Sequence, residues 1–244
     1  MKTSALLCCI LISTLFFSCK KENLNCDKHC LVNIVNDIED NGQSSSETYQ
    51  YDASGRVTSV VFTYGHQTIT YTGNTFDMLD YNNSNTLIRH VWGNVNSDGA
   101  ITLSIDSSSM GIDSFIATYD SNNRMTNAHQ FEQGNSLDYI YYYNNDNVDS
   151  IAVLLSGTPY CTLLFEYFVD KENSIRFDPM YQLLGADRFS NLLGKTSQNL
   201  PKSFSYFGDS TNYTYTLNDD CSITSFRESI GSHFVDHQLT TNCQ

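Results

Sequence analysis

Short runs of alternating apolar and polar residues follow one another along most of the chain. In stretches such as Arg56–Tyr64, Leu137–Tyr143 and Cys161–Phe168, apolar or aromatic side chains alternate with polar ones or run together. This pattern is typical of β-strands, whose successive side chains point to opposite faces. We expect about 13 to 16 strands, with further members near 67–72, 100–105, 113–119, 148–155, 203–207, 212–217, 222–227 and 233–239.

A turn motif recurs between these runs. Its clearest copy is Tyr51–Arg56 (YDASGR), which Tyr119–Arg124 (YDSNNR) matches closely; further copies lie near 81–87, 95–101, 143–148, 169–175 and 217–223. An Asp or Asn that opens a turn accepts hydrogen bonds from the backbone ahead of it, and a later Gly or Asn accommodates a left-handed backbone. Each copy is therefore predicted to be a hairpin rather than a binding site.

One segment departs from the strand pattern. Asp178 and Pro179 suit the N-cap and first position of a helix, and Gly194 suits its end. Leucine and phenylalanine residues between them recur at helical spacing. We expect a short helical insertion near 179–194 that covers an end or a face of the sheet.

These elements predict an all-β fold. Many strands joined by tight hairpins form an up-and-down antiparallel meander, and such a sheet must curl into a barrel-like or half-open form to protect its edges. A transmembrane barrel is not expected, because the strands are short and both of their faces carry Ser, Thr, Asn and charged residues too often for a lipid-facing band.

The N terminus has the features of an export signal. Lys2 precedes an apolar run at 5–17 that is too short to span a bilayer, and Ser18 precedes Cys19. A small residue before cysteine resembles the bacterial lipobox in its looser form. We therefore expect a signal peptide at 1–18, lipid on Cys19, a tether at 19–46 with one strand at Cys30–Val35, and a single domain at 47–244.

The charge balance restricts the partners. Lys and Arg number 13 against 27 Asp and Glu, which gives a formal net charge of −14. A surface this acidic repels nucleic acid and anionic lipid, so nucleic-acid binding is not expected. The lipid on Cys19 is then the predicted membrane attachment, and it places the protein at the outer membrane, facing the periplasm or the cell surface.

An exported protein can form disulfides. The cysteines that remain after export and lipidation are Cys26, Cys30, Cys161, Cys221 and Cys243. If the last hairpin turns near Ser232, Cys221 and Cys243 face each other across it, and we expect them to be bonded. A small loop closed by Cys26 and Cys30 is the alternative for that pair.

Aromatic residues offer one candidate ligand site. Trp92 together with Tyr139, Tyr141 and Tyr143 could form a platform on which a sugar or an apolar ligand stacks. The simpler interpretation is that these side chains fill the core of the sheet.

Signals for catalysis and metal binding are weak. On a strand, His233 and His237 lie about 13 Å apart, too far to share a metal ion. The acidic turns could bind calcium, but capping of Asx turns explains them equally well. The sequence contains no nucleophile elbow, zinc-protease motif or phosphate loop. We therefore expect no catalytic residues, no metal site and no cofactor.

The Tyr-Asp-x-x-Gly-Arg element resembles the YD repeats of RHS-type shells in its turn chemistry. From about Thr48 to Phe226 the chain is similar to a family of Bacteroidales lipoproteins of unknown function. The lipobox, the recurrent turns and the late insertion, with Met180–Gly185 followed by Asn199–Pro201, carry this resemblance. It implies a porin-like β-fold in a soluble protein, and it supplies no catalytic residues.

Three functions are consistent with the sequence. The first is a non-enzymatic binding module, anchored in the envelope, for a glycan, a peptide or a small amphiphile. The second is a structural or assembly component of an outer-membrane complex. The third is a hydrolase with an unrecognised site, which requires two carboxylates or a Ser/His pair in one cleft.

Overall fold

The computed structural model describes residues 30–109, 111–132, 134–177, 193–218 and 222–243. They form a closed barrel of sixteen antiparallel strands, in which each strand pairs with its neighbours in sequence and β16 pairs with β1. The all-β meander predicted from the sequence is thus confirmed. The strands are β1 (Cys30–Glu39), β2 (Ser44–Tyr51), β3 (Val57–Phe62), β4 (Gly65–Thr72), β5 (Thr75–Asn82), β6 (Leu87–Val95), β7 (Ile101–Ser108), β8 (Gly111–Tyr119), β9 (Met125–Glu132), β10 (Asn135–Asn144), β11 (Asn147–Leu155), β12 (Thr158–Glu172), β13 (Asn199–Tyr206), β14 (Asp209–Leu217), β15 (Ile223–Ile230) and β16 (His233–Cys243).

The barrel extends further toward the N terminus than the sequence suggested. Strand β1 and the start of β2 lie within residues 19–46, the predicted tether, so the barrel includes part of that segment. The expected strand at Cys30–Val35 is the first half of β1. The helical insertion predicted near 179–194 falls outside the described residues except for Leu193 and Gly194. Within the described ranges, no helix is long and apolar enough to cross a membrane.

The inner face of the barrel forms the hydrophobic core. Alternate residues of the strands are buried in one core, as Phe76 and Met78 of β5 and Ile151 and Val153 of β11 are. Burial of one such side chain contributes about 1.5–3 kcal/mol. The period-two pattern of the sequence therefore records which side chains point into the barrel.

The outer face of the wall carries polar cross-strand pairs. Arg227 on β15 contacts Asp236 on β16 at 2.6 Å, and Lys202 on β13 contacts Glu166 on β12 at 2.9 Å. Neighbouring side chains on one face of a sheet lie close enough for such contacts. The outer surface is thus rich in ion pairs, although single apolar side chains such as Ile116 are also exposed there.

The two ends of the barrel differ. The hairpins that follow the even-numbered strands lie at one end, together with Cys30, Cys243 and the segments 173–177 and 193–198 between β12 and β13. We call this the capped end, because Phe177 of that connection packs on Tyr213 and Phe226, with ring centroids 5.4 and 4.9 Å apart. The hairpins that follow the odd-numbered strands form the opposite end, which we call the open end.

The segments 173–177 and 193–198, which we call the cap, dock closely on the barrel wall because Gly194 has no side chain. The amide of Lys195 donates a 2.7 Å hydrogen bond to the carbonyl of Asn123 in the β8–β9 turn. A Cβ added at Gly194, whose φ is +87°, would lie 2.6 Å from that carbonyl oxygen and 2.7 Å from the ring of Tyr119. Only a residue without a side chain fits this approach.

The recurrent sequence motif forms a clamped turn at the capped end. Oδ1 of Asp52 accepts hydrogen bonds from the amides of Ser54 and Arg56, while Oδ2 contacts the Arg56 guanidinium at 2.7 Å. That guanidinium also lies over the ring of Tyr71, 4.2 Å from its centroid. The prediction that this motif is a hairpin is confirmed.

Asp120 and Arg124 repeat this arrangement, with Arg124 over the ring of Tyr143 at 4.8 Å. In both copies, the arginine of the turn also contacts a tyrosine on the strand that follows the hairpin. The motif therefore stabilises the pairing of three successive strands as well as the turn itself.

Tyrosine hydroxyls recur beside irregularities in the strand pairing. Each donates to a backbone carbonyl on the preceding strand, at a residue where the register of that strand shifts. The pairs are Tyr51 with Val32, Tyr71 with Val57, Tyr119 with Ile101, Tyr143 with Met125 and Tyr215 with Pro201. A β-bulge disrupts the ladder locally, and a hydroxyl supplies the missing partner.

A disulfide closes the seam between the first and last strands. Cys30 of β1 lies directly opposite Cys243 of β16, and their sulfur atoms are bonded. The expected bond between Cys221 and Cys243 is therefore wrong. In the β15–β16 hairpin, Ile230 faces His233, a register one residue away from the one in which Cys221 would face Cys243. A shift of one residue turns a side chain to the other face of the sheet.

Candidate functional site

Solvent reaches into the barrel from its open end. Along β15 the inward side chains become steadily more buried with depth: Ile230 is 51% exposed, the Glu228 side chain 12% and Phe226 2%. At the capped end of the same strand, Ile223 is fully buried. We call the recess that this gradient indicates at the open end the cup; along β15 it is about two inward residues, or roughly 7 Å, deep.

Carboxylates dominate the wall of this cup. Asp113 faces Asp106, Asp106 faces the buried Val91, and cross-strand partners share one face of the sheet. By the same argument, the inward carboxylates below the rim are Asp37, Glu47, Asp80, Asp106, Asp113 and Glu228. Among the residues that the structure describes, the basic side chains on this part of the wall are Arg89 and His237. The cup is thus strongly acidic.

Arg89 links two of these carboxylates across neighbouring strands. Its guanidinium contacts Asp106 at 2.6 Å and Asp80 at 3.6 Å, while the amide of Gln67 donates to Asp80 at 2.8 Å. Burial is the main influence on Asp80, and it raises the pKa of that carboxyl above its ordinary value. Burial alone would lower the pKa of Arg89, but its contacts with Asp106 and Asp80 raise it overall. The guanidinium therefore stays charged and offsets part of the local negative charge.

A second polar cluster lies at the seam. Nδ1 of His237 is 2.6 Å from Asp37, and Nε2 is 3.7 Å from Glu228. The imidazole stacks on Phe226, with the ring centroids 4.2 Å apart. Because the His237 side chain is only 3% exposed, this cluster belongs to the floor of the cup, where it ties β1, β15 and β16 together.

Exposed apolar side chains surround the open end. They stand on the hairpins that follow β3, β5, β7, β9, β11, β13 and β15, within a few residues of each tip. We call this set the apolar rim; it consists of Tyr64, Leu87, Ile112, Phe131, Tyr160, Phe207 and Ile230, which are 44–76% exposed. Tyr160 and Phe207 also contact each other edge to face, at 5.1 Å between centroids.

A separate depression lies on the capped end. It encloses about 440 Å³ and is lined by groups of both charges, including Asp146, Glu172, Arg176 and Lys195. Asp146 is already engaged by Arg124 at 3.3 Å and by Lys195 at 3.5 Å. These contacts hold the cap on the barrel, so the depression is explained by the docking of the β12–β13 connection.

The structure does not bring the predicted aromatic platform together. Val91 points into the barrel, so the adjacent Trp92 points outward, where it contacts His90 at 4.6 Å between centroids. Tyr139 lies on the inner wall and is 5% exposed. Tyr141 and Tyr143 follow on the same inner face of β10. Burial raises the pKa of Tyr139 to about 12, and its hydroxyl donates to Gln130 at 3.2 Å.

The histidine pair is also divided. His233 contacts Asp40 at a hairpin tip at 2.8 Å, whereas His237 lies on the floor of the cup. In the part of the chain that the structure describes, no group of three His, Cys, Asp or Glu is placed to hold a metal ion. Cys19 and Cys221 lie outside the described residues, so lipidation of Cys19 stays a prediction.

The acidic wall was not predicted from the sequence. Asp80, Asp106 and Asp113 occupy inward positions of their strands, where the alternating pattern calls for apolar residues. These charged residues at inward positions are the feature of the sequence that could have indicated an acidic wall. They could be recognised as one cluster only with the strand register in hand, because they come from separate strands.

Comparison with known proteins supports the fold. A porin-like protein from Bacteroides uniformis, solved by crystallography, superimposes with a TM-score of 0.64 and 14% identity, over 86% of this chain and 96% of that one. A β-barrel-like protein of the domain of unknown function DUF1849 from Brucella abortus aligns over 89% of this chain and 98% of its own, at 9% identity, but its TM-score of 0.26 is too low to indicate a common fold. No family model matches the sequence, and no curated protein matches it.

Proposed function

We propose that the chain is a lipid-anchored, non-enzymatic binding protein of the bacterial envelope, whose ligand enters the open end of the barrel. The observation that carries this proposal is the difference between the two ends. Residues of the cap are buried, as Phe177 and Ile175 are, whereas solvent reaches Glu228 from the open end. A concave site with apolar surroundings and a few placed polar groups is the usual form of a binding site.

The anchor is consistent with this orientation. Cys30 lies at the capped end, and Cys19 precedes it by a stretch that can reach at most about 40 Å when fully extended. The shortest path then leaves the open end facing away from the membrane that holds the lipid. Mass spectrometry of the mature N terminus tests this part: a diacylated Cys19 is expected, and replacement of Cys19 by Ala should release the protein from membranes.

Ligand binding can be tested by thermal unfolding of the full chain with glycans, bile salts and peptides. A ligand at a hundred times its Kd stabilises the folded state by about 2.7 kcal/mol, which is a visible shift. Hydrogen–deuterium exchange of the complex should then show protection of the hairpins at 63–64, 156–157 and 207–208. Protection confined to the capped-end turns at 52–56 and 120–124 would overturn the assignment of the site.

A further inference from the structure

We infer that the open end docks a basic, amphipathic segment of a partner polypeptide; this inference rests on the binding function proposed above and names the class of ligand. Single exposed apolar residues are common on protein surfaces and require no explanation. The apolar rim is different because its members recur on consecutive hairpins at the same end of the barrel. Among the described residues near the capped end, the exposed large apolar side chains are Tyr142 and Val169, and the turns at 52–55 and 120–123 carry mostly Asp, Asn, Ser and Gly.

The charge inside the rim indicates what the rim contacts. A partner that covers both the apolar rim and the opening it surrounds also lies over the inward carboxylates near that opening, including Asp106, Asp113 and Glu228. Arg89 contacts Asp80 and Asp106, and His237 contacts Asp37 and Glu228, but these two basic side chains face six inward carboxylates, so the wall keeps a net negative charge. Positive groups on the partner would complement the remaining negative potential, and such complementarity directs association.

The dimensions of the rim favour a polypeptide over a small molecule. Sixteen strands spaced about 4.8 Å apart give the barrel a perimeter of roughly 75 Å. A small amphiphile touches one or two hairpins of such an opening. An amphipathic helix, about 10–12 Å across with its side chains, can contact several hairpins while its basic residues reach into the cup.

Two other occupants fit less well. A second copy of this chain, docked with the two open ends facing each other, would bring two acidic cups together, and like charges at such an interface are unfavourable. A membrane surface rich in anionic lipid would meet the same repulsion. The open end also lies opposite Cys30, the first residue of β1 and the described barrel residue nearest in sequence to the predicted lipid on Cys19.

The test uses three synthetic amphipathic helical peptides that share one apolar face and carry Lys, Gln or Glu on the other. Each is titrated into the full chain by calorimetry at low and at physiological salt. We expect the Lys peptide to bind about tenfold or more tightly than the Gln peptide, a difference of about 1.4 kcal/mol. Its affinity should fall as salt is added, and the Glu peptide should not bind. Equal binding of the Lys and Gln peptides would overturn the charge argument.

Matched variants locate the contact. Ile112 and Ile116 point outward on the same strand, and are 68% and 48% exposed, but only Ile112 is at the rim. The double variant Tyr64→Ser/Ile112→Ser should weaken binding of the Lys peptide about tenfold, whereas Ile116→Ser/Leu164→Ser, at exposed positions away from the hairpin tips, should leave it unchanged. Asp113→Asn should reduce both the affinity and its salt dependence, and Asp98→Asn at the capped end should not. Unchanged thermal midpoints would establish that all variants fold.

Each remaining outcome is decisive. If a glycan or bile salt protects the open-end hairpins while no peptide binds, the binding function stands and this inference fails. If no ligand of any class binds, both fail. Dimers in sedimentation that the rim variants abolish would identify a second copy of the chain, rather than a polypeptide, as the occupant of the open end. Flotation of the Cys19→Ala chain with neutral phosphatidylcholine vesicles that the rim variants abolish would identify a lipid surface.

Discussion

The hydroxyl of Tyr119 donates a 2.7 Å hydrogen bond to the backbone carbonyl of Ile101. Ile101 faces Val95 at a shift in the register between β6 and β7, so its carbonyl lies where the regular ladder is interrupted. Burial raises the pKa of the Tyr119 hydroxyl, which therefore remains a donor at all ordinary pH values. The same contact recurs at several bulges around the capped end, so it is a structural unit of this barrel.

Removal of this hydroxyl should destabilise the protein. Tyr119→Phe leaves the Ile101 carbonyl without its donor, and an unsatisfied buried polar group costs about 1–3 kcal/mol. Urea unfolding monitored by circular dichroism measures the loss. Tyr142→Phe is the matched control, because that side chain is 52% exposed, and its midpoint should not change. Equal effects of the two substitutions would contradict the role assigned to the bulge contact.

Acid should weaken the clamped turns. Partial burial would raise the pKa of Asp52 and Asp120, but backbone amides and the arginines Arg56 and Arg124 lower it overall from the ordinary value of 3.8. A carboxyl whose folded-state pKa is lowered contributes stability that is fully present above its unfolded-state pKa and is lost as the pH falls below it.

The urea midpoint should therefore decline as the pH falls below about 4. Asp52→Asn/Asp120→Asn should be less stable at neutral pH and should lose less on acidification. Asp98→Asn, in a turn that Asn96 caps, should retain the wild-type acid response. A double variant with the wild-type pH profile would show that other carboxyls control acid sensitivity.

Reduction of the Cys30–Cys243 bond should lower stability. The bond joins residues separated by 213 positions, so it restricts the unfolded chain strongly. A disulfide typically stabilises by about 2–4 kcal/mol. Thermal unfolding of Cys30→Ser/Cys243→Ser should give a lower midpoint than the wild type, and a reducing agent should no longer affect it. Cys161→Ser, a described thiol outside this bond, serves as the control and should keep its response to reductant.

Gly194→Ala should loosen the cap. Both Gly194 and Gly134 have positive φ, at +87° and +84°, but an added Cβ meets the Asn123 carbonyl and the Tyr119 ring only at Gly194. Gly134→Ala should therefore cost only the backbone penalty of about 1–2 kcal/mol. Gly194→Ala should cost more and should increase amide exchange at 193–198. Equal losses of stability at the two sites would mean that the cap adjusts freely.

The fold was predictable because its determinants are local. Alternation along β11 and β14 marks the strands, and the side chains of Asp52 and Asp120 form the turns from residues within the same few positions. Not every strand shows this alternation. β6 was not placed individually, because Arg89 stands where its pattern requires an apolar residue.

The disulfide and the acidic cup were not predictable, because they depend on register and closure. Cys30 meets Cys243 only because β1 and β16 pair, a contact that nothing local in either segment specifies. The same holds for the contact of Asp37 with His237 across that seam. Trp92 was assigned to the wrong group of aromatics because its strand presents Val91, not Trp92, to the interior.

The seam between β1 and β16 also determines where this chain could be cut and rejoined. Every other pair of neighbouring strands is adjacent in sequence, so the barrel is a ring with one break, held by the Cys30–Cys243 bond. A peptide linker across that break, with new termini opened in an exposed hairpin such as 73–74, would yield a circular permutant that keeps every strand pairing. The order of hairpins around the ring, rather than the position of the first residue, is what specifies this architecture.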